Sequence, residues 1–465
     1  MPTFDTTTYI SPFTWRYGSQ DMRRIFSERH KYELWRKVWI SLARVQHKVG
    51  LVSDEELTDL EQFAESIDIE KILEIEKDTK HDVVAAIREY AEKAKVGGGK
   101  IHLGLTSMDI VDNTEGMRNY EAMNLIEAKV KKLLGLFADK IDKYADTVCL
   151  GYTHLQPAEP TTVGYRFAFY AQDLLTDLKL LEFIQSLPLG KGIKGAVGTQ
   201  ASFASLLQER EKGPLEMETE VMQMLGIRPV DISSQVYSRK IDYLVLTVLA
   251  SIASSIAKFA ADLRILQSPT IGEWSEPFGS KQVGSSAMPF KKNPINSEKI
   301  CSLARLVATM PTVALENATH SYLERTLDDS ANRRIVTPEA FLAVDEILMT
   351  AAKLVDGMVI NEKRIAFNLQ QFAPFIASEG ILMEAVKKGA SRQDMHEVLR
   401  DTSMQAWASV AEGRPNPMTN LLQTNTEITK FVSIDEIKKQ LDVSLHVGTA
   451  QQRAKKLAAD IRKLA

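Results

Sequence analysis

The sequence predicts an all-α fold whose helices are much longer than average. Alternating polar and apolar runs, which mark strands, are nearly absent. Apolar residues instead recur at helical spacing in four long stretches, which begin at Met117, Val163, Ile241 and Phe341. These stretches approach about 25–35 residues, against a mean of about 11–12 for globular helices. Helices of that length need apolar partners along their whole length, and a helical bundle supplies them.

The apolar spacing also predicts where two of these helices end, and small residues mark a second contact face on a third helix. We expect the first helix to continue from Met117 to Val148 and the fourth from Phe341 to Met358. The third carries small residues within 250–261 beside its apolar stripe. Because small side chains let helices approach closely, more than one face of this helix is expected to be in contact. We therefore expect a bundle formed between subunits.

Three domains are expected along the chain: residues 1–106, 107–361 and 362–465. A chain of 465 residues is long enough for about three domains. Three glycines at 97–99 end the first helical region, and a break after the fourth long stretch opens a more mixed C-terminal region. The middle domain would hold the long helices, interrupted by a loop at residues 279–294.

Composition argues against several classes of partner. The 57 basic and 61 acidic side chains give a formal charge of −4 with both signs spread along the chain, which argues against nucleic acid as a partner. Two cysteines, Cys149 and Cys301, cannot make a disulfide framework, so a reducing, cytoplasmic location is expected. The N-terminus lacks the pattern of a signal peptide, and no apolar run of about 18 residues is apparent, so no membrane partner is expected.

Motifs for cofactors and metals are out of context or absent. Gly190, Gly192 and Gly195 fit the dinucleotide pattern GxGxxG, but they follow a helix and Pro188 rather than a strand. The eight histidines form neither a zinc-type pair with cysteines nor an HExxH motif. We therefore expect no cofactor and no metal ion.

The most informative stretch is a polar loop between two long apolar segments, from Gly284 to Asn293. Backbone N–H groups and Lys291 would give this loop positive potential, and Asn293 adds a neutral donor. A serine held in that field, such as Ser285, loses its proton more easily than a free serine. An ordinary polar surface loop is the simpler interpretation.

The order of residues in this loop favours the functional interpretation. The loop reads GSSAMPFKKN, and all seven fixed positions of the pattern GSSxMPxKxN are present. It therefore resembles the signature loop of the fumarase/aspartase superfamily. Phe290 stands where histidine or tyrosine is usual, so that position contributes no polar group.

Four further polar clusters stand out against the apolar helices. They are Lys80-His81-Asp82, Thr106-Ser107 with Asp109, the segment 151–157 around His154, and the run 324–334. Taken alone, each has a plain explanation: a surface histidine, a helix cap, a proline-bounded loop, or a solvated helix face with i,i+4 ion pairs. In the first cluster, Asp82 is placed to fix the tautomer of His81 or to raise its pKa.

Together these clusters resemble one branch of the superfamily, the adenylosuccinate lyases, over nearly the whole chain. The matching elements are Arg16-Tyr17, Lys80-His81-Asp82, Thr106-Ser107, Thr153-His154, Gln235 in QVYSR, ERTLDDSANRR at 324–334, and Ser391-Arg392-Gln393-Asp394 with His396. The 324–334 run is most similar to the animal-type subgroup. Lys80 and Lys299 stand where arginine is common in that subgroup, and lysine loses the bidentate geometry.

The resemblance implies a three-domain fold whose central long-helix bundle assembles into the multi-helix core of a homotetramer, with sites shared between subunits. It also implies elimination of fumarate from adenylosuccinate, which yields AMP, and from succinylaminoimidazole-carboxamide ribotide, which yields AICAR. Two alternatives stay open: a sister fumarate-releasing lyase such as an argininosuccinate lyase, and a catalytically silent helical scaffold.

The resemblance further implies roles for single residues. Ser285 would be the base that takes the carbon proton, His154 the acid for the leaving nitrogen, and His81 its rival. Lys291 would stabilise charge that develops on the substrate carboxylate. The implied substrate-binding residues are Arg16, Tyr17, Lys80, Asp82, Thr106, Ser107, Gln235, Asn293, Lys299, Arg325, Ser330 and Arg334.

This set divides by the part of the substrate that it would hold. Arg325, Ser330 and Arg334 suit a phosphate, because residues 330 and 334 lie one helical turn apart. The succinyl carboxylates would be held by Thr106, Ser107 and Gln235. The signature loop would close as a lid, with Gly279 and Gly284 as hinges.

Overall fold

The structure is a computed structural model, and it describes residues 7–464. Within that range eighteen α-helices and four short strands are present. The helices are α1 (Gln20–Ile25), α2 (Glu28–Lys48), α3 (Asp54–Phe63), α4 (Ile69–Thr79), α5 (Asp82–Lys93), α6 (Ser107–Tyr144), α7 (Val163–Gln185), α8 (Ala201–Leu206), α9 (Pro214–Leu225), α10 (Lys240–Gln267), α11 (Ile295–His320), α12 (Asp329–Gly357), α13 (Glu362–Lys387), α14 (Arg392–Ala411), α15 (Met418–Thr424), α16 (Thr426–Thr429), α17 (Ile434–Gln440) and α18 (Ala450–Arg462).

The long helices that the apolar spacing predicts are present, so the all-α class is confirmed. The four predicted stretches lie on α6, α7, α10 and α12, and a fifth long helix, α11, follows the predicted loop. The prediction that the first helix continues to Val148 is wrong, because α6 ends at Tyr144 and Val148 begins a strand. The fourth helix ends at Gly357, one residue before its predicted end.

The strands form two small antiparallel pairs. β1 (Val148–Thr153) pairs with β2 (Gln156–Thr162), and β3 (Trp274–Ser275) pairs with β4 (Val359–Ile360). The sequence did not predict the first pair, because β2 contains Pro157 and Pro160 and proline lacks the N–H that a strand interior uses. A two-stranded hairpin tolerates them, because each of its strands has an outer edge that needs no partner. The register shifts between the Leu150–Pro160 and Tyr152–Pro157 pairs, where Gly151 of β1 stands opposite two residues of β2.

The chain divides into two compact units. The first comprises the chain up to Val130, Thr176–Ala257 and Lys299–Thr350, and the second comprises Lys131–Leu175, Lys258–Glu298 and the chain from Ala351. The division into three domains along the sequence, at 1–106, 107–361 and 362–465, stays a prediction.

Each unit contains its own apolar core. In the first unit, Trp39 of α2 packs against Trp35 and Tyr90, with ring centroids 6.3 and 6.1 Å apart. Helix α2 begins at the cap Ser27, whose hydroxyl accepts the His30 N–H, and its apolar side lies on α3 and α9. In the second unit, α13 to α17 share a core that includes the buried side chains of Ile381, Leu399, Met418 and Ile437.

Helix α10 corrects one expectation drawn from the sequence. By length and composition alone it is apolar enough to cross a membrane, although half of its most apolar window is buried inside the structure. Core helices of soluble proteins pass the same test, so this property is weak support for a membrane span.

Both cysteines are buried and free of disulfides, and burial raises the pKa of the Cys149 thiol to about 11.

Candidate active site

A cavity of about 820 Å³ in the first unit brings together many of the predicted site residues. Its walls come from α2, α4, α5, α6 and the beginning of α12, together with the segments that precede α2, α5, α10 and α12. The predicted residues that line it are Lys80, His81, Asp82, Ser107, Arg325, Ser330 and Arg334. Three of the four polar clusters, which are far apart in sequence, thus contribute to one space, and the segment around His154 does not.

His81 is held by the helix that it caps. It precedes α5, and its Nδ1 accepts the Val84 N–H at 3.4 Å. Its Nε2 lies 3.3 Å from Ser107 Oγ. Because Nδ1 accepts, the neutral ring carries its proton on Nε2, where the cavity is. The expectation that Asp82 fixes this tautomer is wrong, because the nearest Asp82 oxygen is 3.7 Å from Nδ1 and the helix cap holds the ring instead.

Asp82 has different partners. One oxygen of its carboxylate accepts the Val83 N–H at 2.8 Å at the start of α5, where a negative charge is favourable. The other accepts from Arg334 Nη2 at 3.3 Å. The Arg334 side chain remains 70% exposed, so its guanidinium stays accessible from the cavity. Ser330 and Arg334 both line the cavity, as their spacing on α12 predicts.

Arg325 lies in the turn before α12 and is braced from another segment. Its Nη1 donates to Gln235 Oε1 at 3.0 Å, and the Gln235 N–H donates to the Glu324 carbonyl. Its Nε is buried and has no hydrogen-bond partner within residues 7–464. Burial lowers the pKa of this guanidinium, and Asp329 opposes that effect. Gln235 therefore orients Arg325 and does not itself line the cavity.

Four other predicted residues of the first unit lie outside the cavity lining. The Arg16 guanidinium stacks on Trp15 and Tyr17, at 5.5 and 6.0 Å from the ring centroids. The Thr106 N–H donates to the Asp109 carboxylate at 2.9 Å, directly before α6 begins at Ser107. Lys299 donates to Glu346 at 2.6 Å. For Arg16, Tyr17, Thr106 and Lys299 a role in binding stays a prediction.

The signature loop belongs to the second unit and is a loop, as predicted. Residues 279–294 contain neither helix nor strand, and α11 begins directly after them. Ser285 Oγ accepts the N–H groups of Ala287 at 3.3 Å and Met288 at 3.1 Å. Ser285 is half-buried, whereas Ser286 is exposed. Two donors aimed at one hydroxyl oxygen favour its anionic form.

The loop is closed on itself by Gly284 and Asn293. The Asn293 amide donates to the Gly284 carbonyl at 2.8 Å. A Cβ added at Gly284 would lie 1.9 Å from the Lys291 carbonyl oxygen, so only glycine fits there. One donor of Asn293 thus braces the loop. The exposed Lys291 ammonium makes no hydrogen bond or ion pair with any residue of the described chain.

His154 stands at the tip of the β1–β2 hairpin in the same unit. His154 and Leu155 form a two-residue connection with φ of +53° and +58°. Positive φ at both positions is the requirement of a type I′ turn, which suits the twist of a hairpin. Histidine tolerates this conformation better than leucine, and both side chains are exposed. The hairpin therefore presents an accessible imidazole at the cost of backbone strain at Leu155.

No group of three or more His, Cys, Asp and Glu side chains within residues 7–464 is arranged to hold a metal ion. The glycines of the GxGxxG match lie after α7 and fold around buried carboxylates: the N–H groups of Lys194 and Gly195 donate to Asp109. The expected absence of a cofactor and of a metal stays a prediction.

Comparison with known proteins places the chain among enzymes. A family model described as lyase matches residues 16–308, and one described as adenylosuccinate lyase C-terminus matches residues 374–457. The adenylosuccinate lyase of Saccharomyces cerevisiae is 37% identical over 462 residues, which cover 98% of this chain and 95% of that protein. The adenylosuccinate lyase of Archaeoglobus fulgidus is 35% identical over 448 residues, with 96% and 98% covered.

The chain belongs to the adenylosuccinate lyase family. It is therefore a carbon–nitrogen lyase of the fumarase/aspartase superfamily. The solved structures of a fumarate lyase from Mesorhizobium sp. BNC1 and of a 3-carboxy-cis,cis-muconate lactonizing enzyme from Pseudomonas putida each have a TM-score of 0.84 and 22% identity. Each comparison covers 97% of this chain and 99% of the other, and at that identity it shows the fold alone. The animal-type grouping stays a prediction.

Three charged residues that line the cavity were not among the site residues predicted from the sequence. Arg239, Asp329 and Arg333 line it and are buried or nearly so. The run 324–334 suggested a solvated helix face as the alternative for two of them, and that alternative is wrong for Arg333 and Asp329. No local signal marks Arg239 as buried, because its partners Asp112 and Asp329 lie in other segments of the chain.

Proposed function

We propose that this chain eliminates fumarate from adenylosuccinate, with AMP as the product, and from succinylaminoimidazole-carboxamide ribotide, with AICAR as the product. The observation that carries the proposal is the cavity of the first unit, where His81 and Ser107 face the same space as Arg325, Ser330 and Arg334. A volume of about 820 Å³ suits a nucleotide, and the lining supplies cations for a phosphate and polar donors for carboxylates.

The elimination needs a base, an acid and fixed positive charge. A proton leaves a carbon next to a carboxylate, the C–N bond breaks, and the leaving nitrogen receives a proton. We assign the base to Ser285, because two backbone N–H groups already stabilise its oxygen. The acid is assigned to His154, with His81 as its rival, and Lys291 stabilises the charge that develops on the substrate carboxylate.

The phosphate end of the substrate is assigned to Arg325, Ser330 and Arg334. The guanidinium of Arg334 is accessible, and the hydroxyl of Ser330 lies one turn earlier on the same helix. The succinyl end is assigned to the residues at the beginning of α6. There the N-terminus of a 38-residue helix adds favourable potential for a carboxylate.

We infer that the active enzyme is a homotetramer that combines site residues of different subunits. Helix α7 supports this, because it exposes Tyr165, Phe169, Leu180 and Phe183 on one face. Exposed aromatic and aliphatic side chains in one stripe are typical of an interface. Light scattering on Phe169→Asp and on the unmodified protein tests the inference. A tetrameric Phe169→Asp protein would show that this face is not the interface.

A cytoplasmic location is proposed as well, without a nucleic-acid or membrane partner. Two buried thiols that form no disulfide suit a reducing compartment. The formal charge of −4 supplies no basic surface of the kind that nucleic acid selects.

The direct test is incubation of the pure protein with adenylosuccinate, followed by measurement of AMP and fumarate. Release of both in equal amounts is the expected result. Turnover of argininosuccinate with none of adenylosuccinate would favour the sister lyase. The absence of turnover with either substrate by a folded tetramer would favour the silent scaffold.

A further inference from the structure

A buried cluster of charges adjoins the face of the cavity that is proposed to bind the phosphate, and Arg239, Asp329 and Arg333 of this cluster line part of the cavity. At its centre is Arg239, in the segment before α10, with its side chain 1% exposed. Its Nη1 donates to Asp112 Oδ1 at 3.0 Å, and its Nε donates to Asp329 Oδ2 at 2.6 Å. Asp112 lies on α6 and Asp329 is the first residue of α12. One guanidinium therefore ties the beginnings of two long helices to the segment that carries it.

Arg333 closes the cluster from the next turn of α12. Its Nε donates to Asp242 at 2.7 Å, and its Nη2 donates to the Tyr237 hydroxyl at 2.9 Å. The Tyr237 hydroxyl itself donates to Asp242 at 2.6 Å, and the Tyr237 N–H donates to Asp112 at 3.1 Å. The cluster is thus a continuous network of charge-assisted hydrogen bonds that joins α6, α12 and the segment before α10.

The positions of these residues on α12 are informative. Asp329 and Arg333 are spaced by four, and so are Ser330 and Arg334, which follow them by one residue. One residue corresponds to about 100° around a helix, so the two pairs occupy neighbouring faces of the first turns. Both pairs border the cavity, but the first is nearly buried and ion-paired within the cluster, whereas Arg334 of the second is largely exposed. A shift of the first pair would move both residues of the second pair together.

We propose that Arg239 is a positioning residue for the phosphate end of the substrate: through Asp112 and Asp329 it fixes the first turn of α12 and thereby the places of Ser330 and Arg334. The same segment braces Arg325 through Gln235. The inference rests on the proposed assignment of the phosphate to Arg325, Ser330 and Arg334.

The first test is the substitution Arg239→Lys, which keeps the positive charge. Lysine cannot contact Asp112 and Asp329 together with the geometry of a guanidinium. We expect KM for adenylosuccinate and the inhibition constant of AMP to rise together by about 10- to 100-fold, since a misplacement of about 1 Å costs up to about 100-fold. The inhibition constant of fumarate, which has no phosphate, should stay unchanged, and kcat should fall less than KM rises. An unchanged AMP constant would overturn the proposal, and so would an equal rise for fumarate.

A second variant separates positioning from charge and stays informative if Arg239→Lys does not fold. Asp329→Asn makes the cluster more positive by one unit but removes the anchor of α12. If position governs binding, AMP binds more weakly to this variant. If charge alone governs binding, AMP binds more tightly, and the proposal is wrong.

The matched control is Arg36→Lys. Arg36 is also a buried arginine of the first unit, paired with the buried Glu89, but neither residue lines the cavity. We expect this variant to lower the thermal midpoint while KM and both inhibition constants stay unchanged.

The assignment of the phosphate itself is tested separately with Arg334→Gln and Arg325→Gln. If neither weakens AMP binding, the proposed phosphate site is wrong. If both weaken it while Arg239→Lys does not, only the positioning role is wrong.

Discussion

Ser107 Oγ lies 3.3 Å from His81 Nε2, although the two residues belong to the beginnings of different helices. The other ring nitrogen of His81 accepts an N–H of its own helix. Only Nε2 of the imidazole can therefore bind a group in the cavity, and the Ser107 hydroxyl is already its partner. This arrangement suits a group that orients a substrate carboxylate together with Ser107 better than one that donates a proton to a leaving nitrogen.

Replacement of His81 by asparagine should weaken substrate binding more than it slows chemistry. Asparagine is a good N-cap residue, so His81→Asn removes the Nε2 donor while α5 keeps its cap. We expect KM to rise clearly while kcat falls by less than about tenfold. Steady-state kinetics check this. A loss of kcat with KM unchanged would instead assign the acid to His81.

Replacement of His154 by asparagine should have the opposite signature. Asparagine adopts positive φ readily, so His154→Asn keeps the hairpin turn and removes only the imidazole. We expect kcat to fall by about 10²–10⁴ and the limb of the pH–rate profile that reports the acid to disappear. A pH–rate profile that matches the unmodified enzyme would contradict the assignment of His154.

Two neighbouring serines of the signature loop should respond differently to substitution. Ser285 accepts two backbone N–H groups and is half-buried, whereas Ser286 is exposed. Ser285→Ala is expected to lower kcat by about 10²–10⁴, because the base is lost. Ser286→Ala serves as the matched control and should change kcat little. If Ser285→Ala kept full activity, the proposed mechanism would be wrong even with the substrate correctly assigned.

Closure of the signature loop should be visible by limited proteolysis. Lys281, Lys291 and Lys292 are exposed, so trypsin should cut the free protein between residues 280 and 292. Adenylosuccinate bound to the inactive Ser285→Ala protein should suppress these cuts, if Gly279 and Gly284 act as hinges. Equal cleavage with and without the substrate would argue against a lid.

His102 should make the enzyme less stable in mild acid. Burial lowers the pKa of its imidazole from the ordinary value of 6.5 to about 4. Because the unfolded chain binds this proton more readily, the contribution of His102 to stability is lost as the pH falls from 6.5 towards 4. The loss at about pH 5 is roughly 2 kcal/mol.

Urea unfolding at a series of pH values, at one protein concentration, checks this contribution. His102→Asn removes the titrating ring, keeps an acceptor for the Trp39 indole N–H, and suits the positive φ of this position. The variant should lose less stability than the unmodified enzyme between pH 7 and 5. An identical loss in both proteins would show that His102 is not responsible.

Local sequence patterns were sufficient for much of the fold. The helical spacing in α7 and α10 depends only on neighbours along the chain, so both helices follow from the sequence. The β1–β2 hairpin did not follow from it, because Pro157 and Pro160 carry the local signal of a loop. There the cross-strand pairing of Leu150 with Pro160 outweighs the local preference.

The sequence by itself determined the all-α class, the position of the signature loop and the membership in the lyase family, since each depends on the order or the spacing of residues within short segments. Only the tertiary structure decided that Nδ1 of His81 is occupied by a helix cap, that two N–H groups reach Ser285, and that Arg239 is buried between two aspartates. The physical reason is that burial and hydrogen bonding of a charged group depend on the partners that distant segments bring to it, which no local spacing reports.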